Sequence, residues 1–207
     1  MKPHTNFKWI LFSIGLMGAV VVPFVLNSQR ASNGKVSAAI REDVSGRPPF
    51  VTFTRSGDLE QPTGYRKWIS VGTPLTPHDM NNGNAAFPEF HSVYIDPVAF
   101  AQYEKNGKFP DGTVLIKELI SVGSKQATSG NGYFMGDFTG LEVLVKDRER
   151  FADQPGNWGF FSFGHEYPLK ASATIQAVAN CNNCHAGEAD DDFVFTQYYP
   201  VLRAAKR

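Results

Sequence analysis

The sequence predicts an α+β fold, a mainly antiparallel β-sheet with flanking helices. Three observations carry that prediction. From residue 65 onward, short runs of β-branched and aromatic residues recur, each bounded by Gly, Pro, Asn or Asp. Between two of those runs lies one segment with both helix ends signalled. The composition is globular: 207 residues, 42% hydrophobic, 13% aromatic and 19% charged. That is enough apolar surface for a core and too little charge for a disordered chain.

The chain begins with an export signal. Trp9 to Leu26 is an uncharged apolar run preceded by Lys2 and Lys8, a basic region followed by a hydrophobic one. At about 18 residues the run is also long enough for a single membrane anchor. Either way the positive flank directs everything after it out of the cytoplasm. Val36-Ser37-Ala38 is the nearest small-residue cleavage site. The expected division is an export segment or anchor over 1–30, a loose leader over 31–60 and a folded domain over 61–207. The leader reading rests on Ser, Gly, Arg and Asp enrichment and on Pro48-Pro49.

The expected strands are Lys67–Gly72, Phe90–Ile95, Thr113–Val122, Leu141–Lys146 and Trp158–Phe163. The helix between the second and third starts at Asp96, a capping side chain, with Pro97 in its first turn. It runs through Lys105 and stops at Gly107. Lys108 to Gly112 is then a turn. Two more helices are expected, over Ala171–Ala179 and Val201–Lys206. Lys and Arg number 20, as do Asp and Glu, so the balance argues against a nucleic-acid binder.

The chain has just two cysteines. They stand in Cys181-Asn182-Asn183-Cys184-His185, the C-x-x-C-H spacing of covalent c-type haem attachment. Two thiols must reach two vinyl groups on one porphyrin edge while the adjacent His185 ligates the iron. A redox pair, a disulfide and half a zinc site are the other readings of such a pair. Small electron carriers place an axial Met after the motif, whereas every Met here (Met1, Met17, Met80, Met135) precedes it. That leaves the iron position opposite His185 open, with Met80, Met135, His78, His91 and His165 as candidate sixth ligands.

Two ionisable residues interrupt apolar strands. Lys117 lies between Leu115 and Leu119 on one strand face, while Glu118 shares the other with Val114, Ile116 and Ile120. On pattern alone Lys117 reads as a lysine reaching past an edge or as a desolvated amine aimed at the haem. Glu142, sharing a face with Leu144 and Lys146, reads as part of a solvated face or as a carboxylate near the open iron position. Asp190-Asp191-Asp192 reads as a solvated acidic turn.

From Tyr65 to Lys206 the chain resembles the cytochrome P-460 family. The resemblance is carried by Tyr65-Arg66-Lys67-Trp68, Val93-Tyr94-Ile95-Asp96-Pro97, Lys117-Glu118-Leu119 and the run Gly130 to Asp137. Gly140-Leu141-Glu142, Pro155-Gly156-Asn157-Trp158, the haem motif and the tail Val194 to Lys206 complete it. The resemblance implies one haem c bound through Cys181 and Cys184, His185 as axial ligand, and a covalent link from Lys117 to the macrocycle. It implies that Glu142 accepts protons from bound hydroxylamine and that Phe87 confines the small ligand. It further implies a periplasmic homodimer that oxidises hydroxylamine to nitrous oxide, with nitric oxide bound at the iron on the way. Electrons pass to a soluble cytochrome c. The competing readings are a nitric-oxide-binding β-sheet cytochrome c′ and a plain electron carrier.

Overall fold

The computed structural model of the protein describes residues 50–206. The expected export segment and most of the leader lie outside these residues. No helix among the described residues is long and apolar enough to cross a membrane.

The strands, in chain order, are β1 (Leu59–Glu60), β2 (Ile69–Gly72), β3 (Phe90–Ile95), β4 (Val114–Val122), β5 (Gln126–Ala127), β6 (Gly130–Asn131), β7 (Met135–Lys146), β8 (Trp158–Gly164) and β9 (Ser172–Ala173). The helices are α1 (Pro97–Asn106), α2 (Asn182–Glu188) and α3 (Pro200–Ala205). The main sheet has five strands in the order β2-β3-β4-β7-β8, every neighbouring pair antiparallel. The expected α+β class therefore holds, and sequence neighbours pair with sequence neighbours as short connections favour. The β5–β6 hairpin is an excursion between β4 and β7.

One residue ties α1 to the sheet. The Asp96 carboxylate accepts from Ala99 N at 2.8 Å, capping the helix, and from Val114 N at 2.9 Å, holding the first residue of β4. Gly107 ends the helix with φ 66°, a left-handed conformation that suits glycine.

Strand alternation gives the sheet two buried faces. One carries Ile116, Leu141, Val143, Phe161 and Phe163 against Val51, Leu59, Tyr65 and Phe151. The other carries Val93, Ile95, Leu115 and Phe160 against Tyr103 of α1, Tyr199 and Leu202 of α3. Trp158 is fully buried on that second face, and truncating such a side chain costs about 3–5 kcal/mol.

Several expectations are corrected. Residues 171–179 form no helix: Ser172 and Ala173 are strand β9, paired with Glu60 and Leu59. Ile175 bridges Phe161 and Gln176 N donates to Phe160 O. The segment lacks a capping residue at its start, and the free edge of β8 offers partners that a short uncapped helix does not match. The helix lies later, in α2, and carries the cysteine motif. The leader is not loose throughout, since Leu59 is fully buried in the first core. Tyr65–Lys67 is a 3₁₀ turn, so β2 starts only at Ile69. Strand β7 begins at Met135, well before Leu141.

Candidate functional site

The site begins with a register. On β4 and β7, Lys117 is directly opposite Glu142, and Leu115 is opposite Leu144. Residues opposite one another share a face, so Lys117 and Glu142 project from the face that holds Leu115 and Phe160. Lys117 Nζ and Glu142 Oε2 form an ion pair, with the two side chains 22% and 21% exposed. The expected solvated face and the expected edge position are thus both replaced by a half-buried pair in the middle of the sheet.

Three more residues gather there. The Phe87 ring centroid lies 5.0 Å from Lys117 Nζ, and Thr76 Oγ1 donates to the Phe87 carbonyl at 2.6 Å. Phe87 as a whole is exposed. His91 of β3 stands edge-on to Phe87 at 6.1 Å. Its Nε2 is buried without a hydrogen-bond partner. Burial, helped by the Lys117 charge, lowers the His91 pKa from 6.5 to about 4, so this ring is neutral at pH 7. His165 Nε2 lies 3.3 Å from Glu142 Oε1, the carboxylate oxygen opposite the one held by Lys117.

Helix α2 presents the motif to this face. Cys181 precedes its first turn and Asn182 is buried beneath it. The His185 Nδ1–H donates to the Phe193 carbonyl at 2.7 Å, because a carbonyl can only accept. The ring lies against Phe160 and Phe195, each at 4.6 Å between centroids. Burial lowers the His185 pKa and raises that of the Cys181 thiol. Phe160 stands opposite Leu144, on the face from which Lys117 and Glu142 project, so the motif and the Lys117–Glu142 pair share that face.

The Phe193 carbonyl is held by the residues before it. Asp192 pairs with Lys146 Nζ and accepts from Trp158 Nε1 at 3.2 Å. Asp191 accepts from Tyr103 Oη at 3.1 Å and pairs with Lys206 at 2.9 Å. The acidic turn expected to be merely solvated is therefore a latch. Gly156 makes room for it, since a Cβ at that position would meet the Phe193 ring at 2.5 Å.

These residues fit a covalently attached haem. Both thiols are free, with Cys184 exposed and Cys181 half-buried. His185 has its Nδ1 proton committed to a carbonyl, which leaves Nε2 as the unprotonated ligand nitrogen. The buried, unpartnered acceptor of His91 faces the same region as Lys117 and Glu142.

Of the other candidate ligands, Met80 is 76% exposed and His78 is exposed beside it, while Met135 is 50% exposed at the start of β7. By contrast, His165 lies beside Glu142 and His91 stands against Phe87, next to Lys117. Sequence reasoning missed the latch at Asp192 and the role of Glu118, which is fully buried on the opposite face. The family stretches Pro155-Gly156-Asn157-Trp158 and Tyr65-Arg66 were the available signals, since each contains a partner of one of these carboxylates or of the turn it holds.

No curated protein matches the chain. The family model described as Cytochrome P460 matches residues 62–196. That span contains the whole main sheet, Lys117, Glu142 and the C-x-x-C-H motif, and it implies an oxidoreductase-type haem protein with haem c. On the match and the geometry together, the chain belongs to the cytochrome P460 family.

Proposed function

We propose that this protein is a periplasmic enzyme that oxidises hydroxylamine to nitrous oxide and passes the electrons to a soluble cytochrome c. The observation that carries this reading is the register of Lys117 against Glu142 on the sheet face that α2 and His185 approach. An electron carrier needs no half-buried carboxylate there, whereas a reaction that releases protons does. Two hydroxylamine molecules yield one nitrous oxide, one water, four protons and four electrons. The haem, when bound, supplies the redox chemistry.

The chain's own residues supply the rest. Cys181 and Cys184 would hold the haem through thioether bonds and His185 would ligate its iron. Lys117, half-buried on its strand, would hold the macrocycle at a third side chain and so rigidify it. Glu142 takes up the protons that substrate loses. Phe87 narrows the space next to Lys117 and so favours ligands the size of hydroxylamine or nitric oxide. The exposed apolar side chains Tyr133, Met135 and Phe138 support a homodimer built on that end of the sheet.

The test combines mass and product. The haem-loaded protein should have an intact mass for haem bonded at three side chains, and Lys117→Ala should shift the ferrous absorption to that of an ordinary c-type haem. Gas analysis should find nitrous oxide when hydroxylamine and an oxidised acceptor are supplied. An ordinary c-type spectrum in the unmodified protein, or nitric oxide bound without any turnover of hydroxylamine, would overturn the proposal.

A further inference from the structure

We infer that His165 is the exit through which protons leave Glu142 for bulk water, a relay residue acting through that carboxylate. This rests on the reading of Glu142 as proton acceptor and adds to it the route by which the carboxylate is reset.

The geometry is specific to one oxygen. Glu142 Oε2 points toward Lys117, the residue placed to join the macrocycle, while Oε1 lies on the other side, 3.3 Å from His165 Nε2. The Glu142 side chain is 21% exposed and that of His165 is 45% exposed, so the imidazole spans from the half-buried carboxylate to water. His91, the other histidine near the pair, is mostly buried with an unpartnered Nε2 and offers no comparable path outward. The charged groups that face this position are Glu142 from β7 and Lys117 from β4.

Two glycines bring His165 there. Strand β8 ends at Gly164 with φ 116°, a conformation that side-chain-bearing residues rarely adopt. A Cβ at Gly140 would meet the Gly164 carbonyl at 2.7 Å and His165 Cα at 3.1 Å. The chain can therefore cross over β7 two residues before Glu142 only because position 140 has no side chain. This close passage is independent of the ion-pair distance and gives His165 a built position.

The step balances as a proton transfer. The Glu142 carboxyl gives its proton to His165 Nε2, restoring the carboxylate and forming an imidazolium. The imidazolium gives the proton on Nδ1 to water and is left neutral, as the other tautomer, until its protons re-equilibrate with solvent. No electron moves in either step.

The experiment uses the haem-loaded full chain with His165→Gln, His165→Ala and Glu142→Gln. Both His165 variants should keep the wild-type mass and absorption spectrum. Their kcat for hydroxylamine should fall roughly tenfold to a hundredfold while KM stays within about twofold. Added imidazole should restore His165→Ala and leave Glu142→Gln inactive. Independently of turnover, the imidazole nitrogen resonances of His165 in the ferrous carbon monoxide form should move in Glu142→Gln. A wild-type kcat in both His165 variants overturns the relay and leaves Glu142 standing. A loss that imidazole does not restore also overturns it. Wild-type turnover in Glu142→Gln overturns the proton-acceptor reading itself, and the relay with it.

Discussion

Glu118 and Glu142 stand on neighbouring strands of one sheet and point to opposite faces. Glu118 is opposite Leu141, and Glu142 is opposite Lys117. Their surroundings could hardly differ more. Glu118 is fully buried, accepts from Tyr65 Oη at 2.6 Å and from Arg66 Nε at 3.1 Å, and pairs with the Arg66 guanidinium. That guanidinium, on a side chain 51% exposed, lies 4.0 Å from the Phe138 ring centroid. Burial and the hydrogen bond to Glu118 push the Tyr65 phenol well above its ordinary pKa, and the same carboxylate raises that of Arg66. Glu142 keeps one-fifth of its side chain in contact with solvent and has one lysine and one half-exposed histidine as neighbours. A carboxylate whose oxygens are all committed to fixed donors holds structure together. A carboxylate with a free edge, a cation and a path to water can take up and release a proton.

The largest expected effect follows from the second half of that comparison. Glu142→Gln keeps the shape and removes the proton acceptor. Turnover of hydroxylamine should fall by roughly 10²–10⁴-fold, the usual contribution of a positioned acid or base. Thermal stability should change by no more than about 1–2 kcal/mol, because Gln keeps the shape and an oxygen that can still accept from Lys117. If stability collapses while residual turnover per folded molecule is normal, Glu142 is a structural residue like Glu118.

Glu118→Ala should behave the opposite way. It leaves the buried Tyr65 hydroxyl without its acceptor and opens a cavity, at a cost of about 3 kcal/mol. Chemical denaturation reads that loss directly. The folded fraction should still attach haem and turn over, since Glu118 faces away from Lys117 and Glu142. A wild-type denaturation midpoint would mean that the network on that face contributes nothing net.

Acid should sharpen the contrast through His91, which shares the functional face. Its folded pKa is near 4, below its ordinary 6.5. As pH falls, the unfolded chain takes up this proton first. The contribution is therefore complete above pH 6.5 and is lost between 6.5 and 4, amounting to about 2–3 kcal/mol. His91→Gln should flatten the stability profile in that window; an unchanged profile would place the acid sensitivity elsewhere.

How much of this was legible in the sequence depends on whether a feature was local. Helix α1 could be read because its cap, its proline and its terminal glycine are all within a dozen residues of one another. Strand β3 was read to its ends because it alternates and is bounded by turn residues. The segment 171–179 was misread because its structure is set by distant strands, Leu59–Glu60 and Phe161, and nothing local announces them. The haem motif was legible as spacing. Lys117 and Glu142 were visible as anomalies in apolar strands, yet only the pairing of β4 with β7 puts them side by side. The burial of Glu118 was hidden because its partners are 52 and 53 residues away. His165 was visible only as one of five candidate sixth ligands, since its approach to Glu142 depends on glycines on two strands.

The smallest expected effect concerns the third set of acids, read as a solvated turn and found as a latch. Asp192 pairs with Lys146, accepts from Trp158 Nε1, and is followed directly by Phe193, whose carbonyl holds His185 Nδ1–H. Asp192→Asn keeps an acceptor for Trp158 and removes the charge that faces Lys146. The stability cost should be about 2 kcal/mol, because Lys146 is only 7% exposed and loses its partner's charge, while the amide oxygen still offers it an acceptor. The informative readout is the haem. A carbonyl that accepts from the far nitrogen of a ligating imidazole makes that imidazole a stronger donor, which favours the ferric state. Loosening the turn weakens that hydrogen bond, so the reduction potential should rise in a spectroelectrochemical titration while the thioether attachment stays intact. An unchanged potential would show that the backbone at Phe193, with φ 63° and its ring lying where any side chain at Gly156 would stand, holds the carbonyl without help from Asp192.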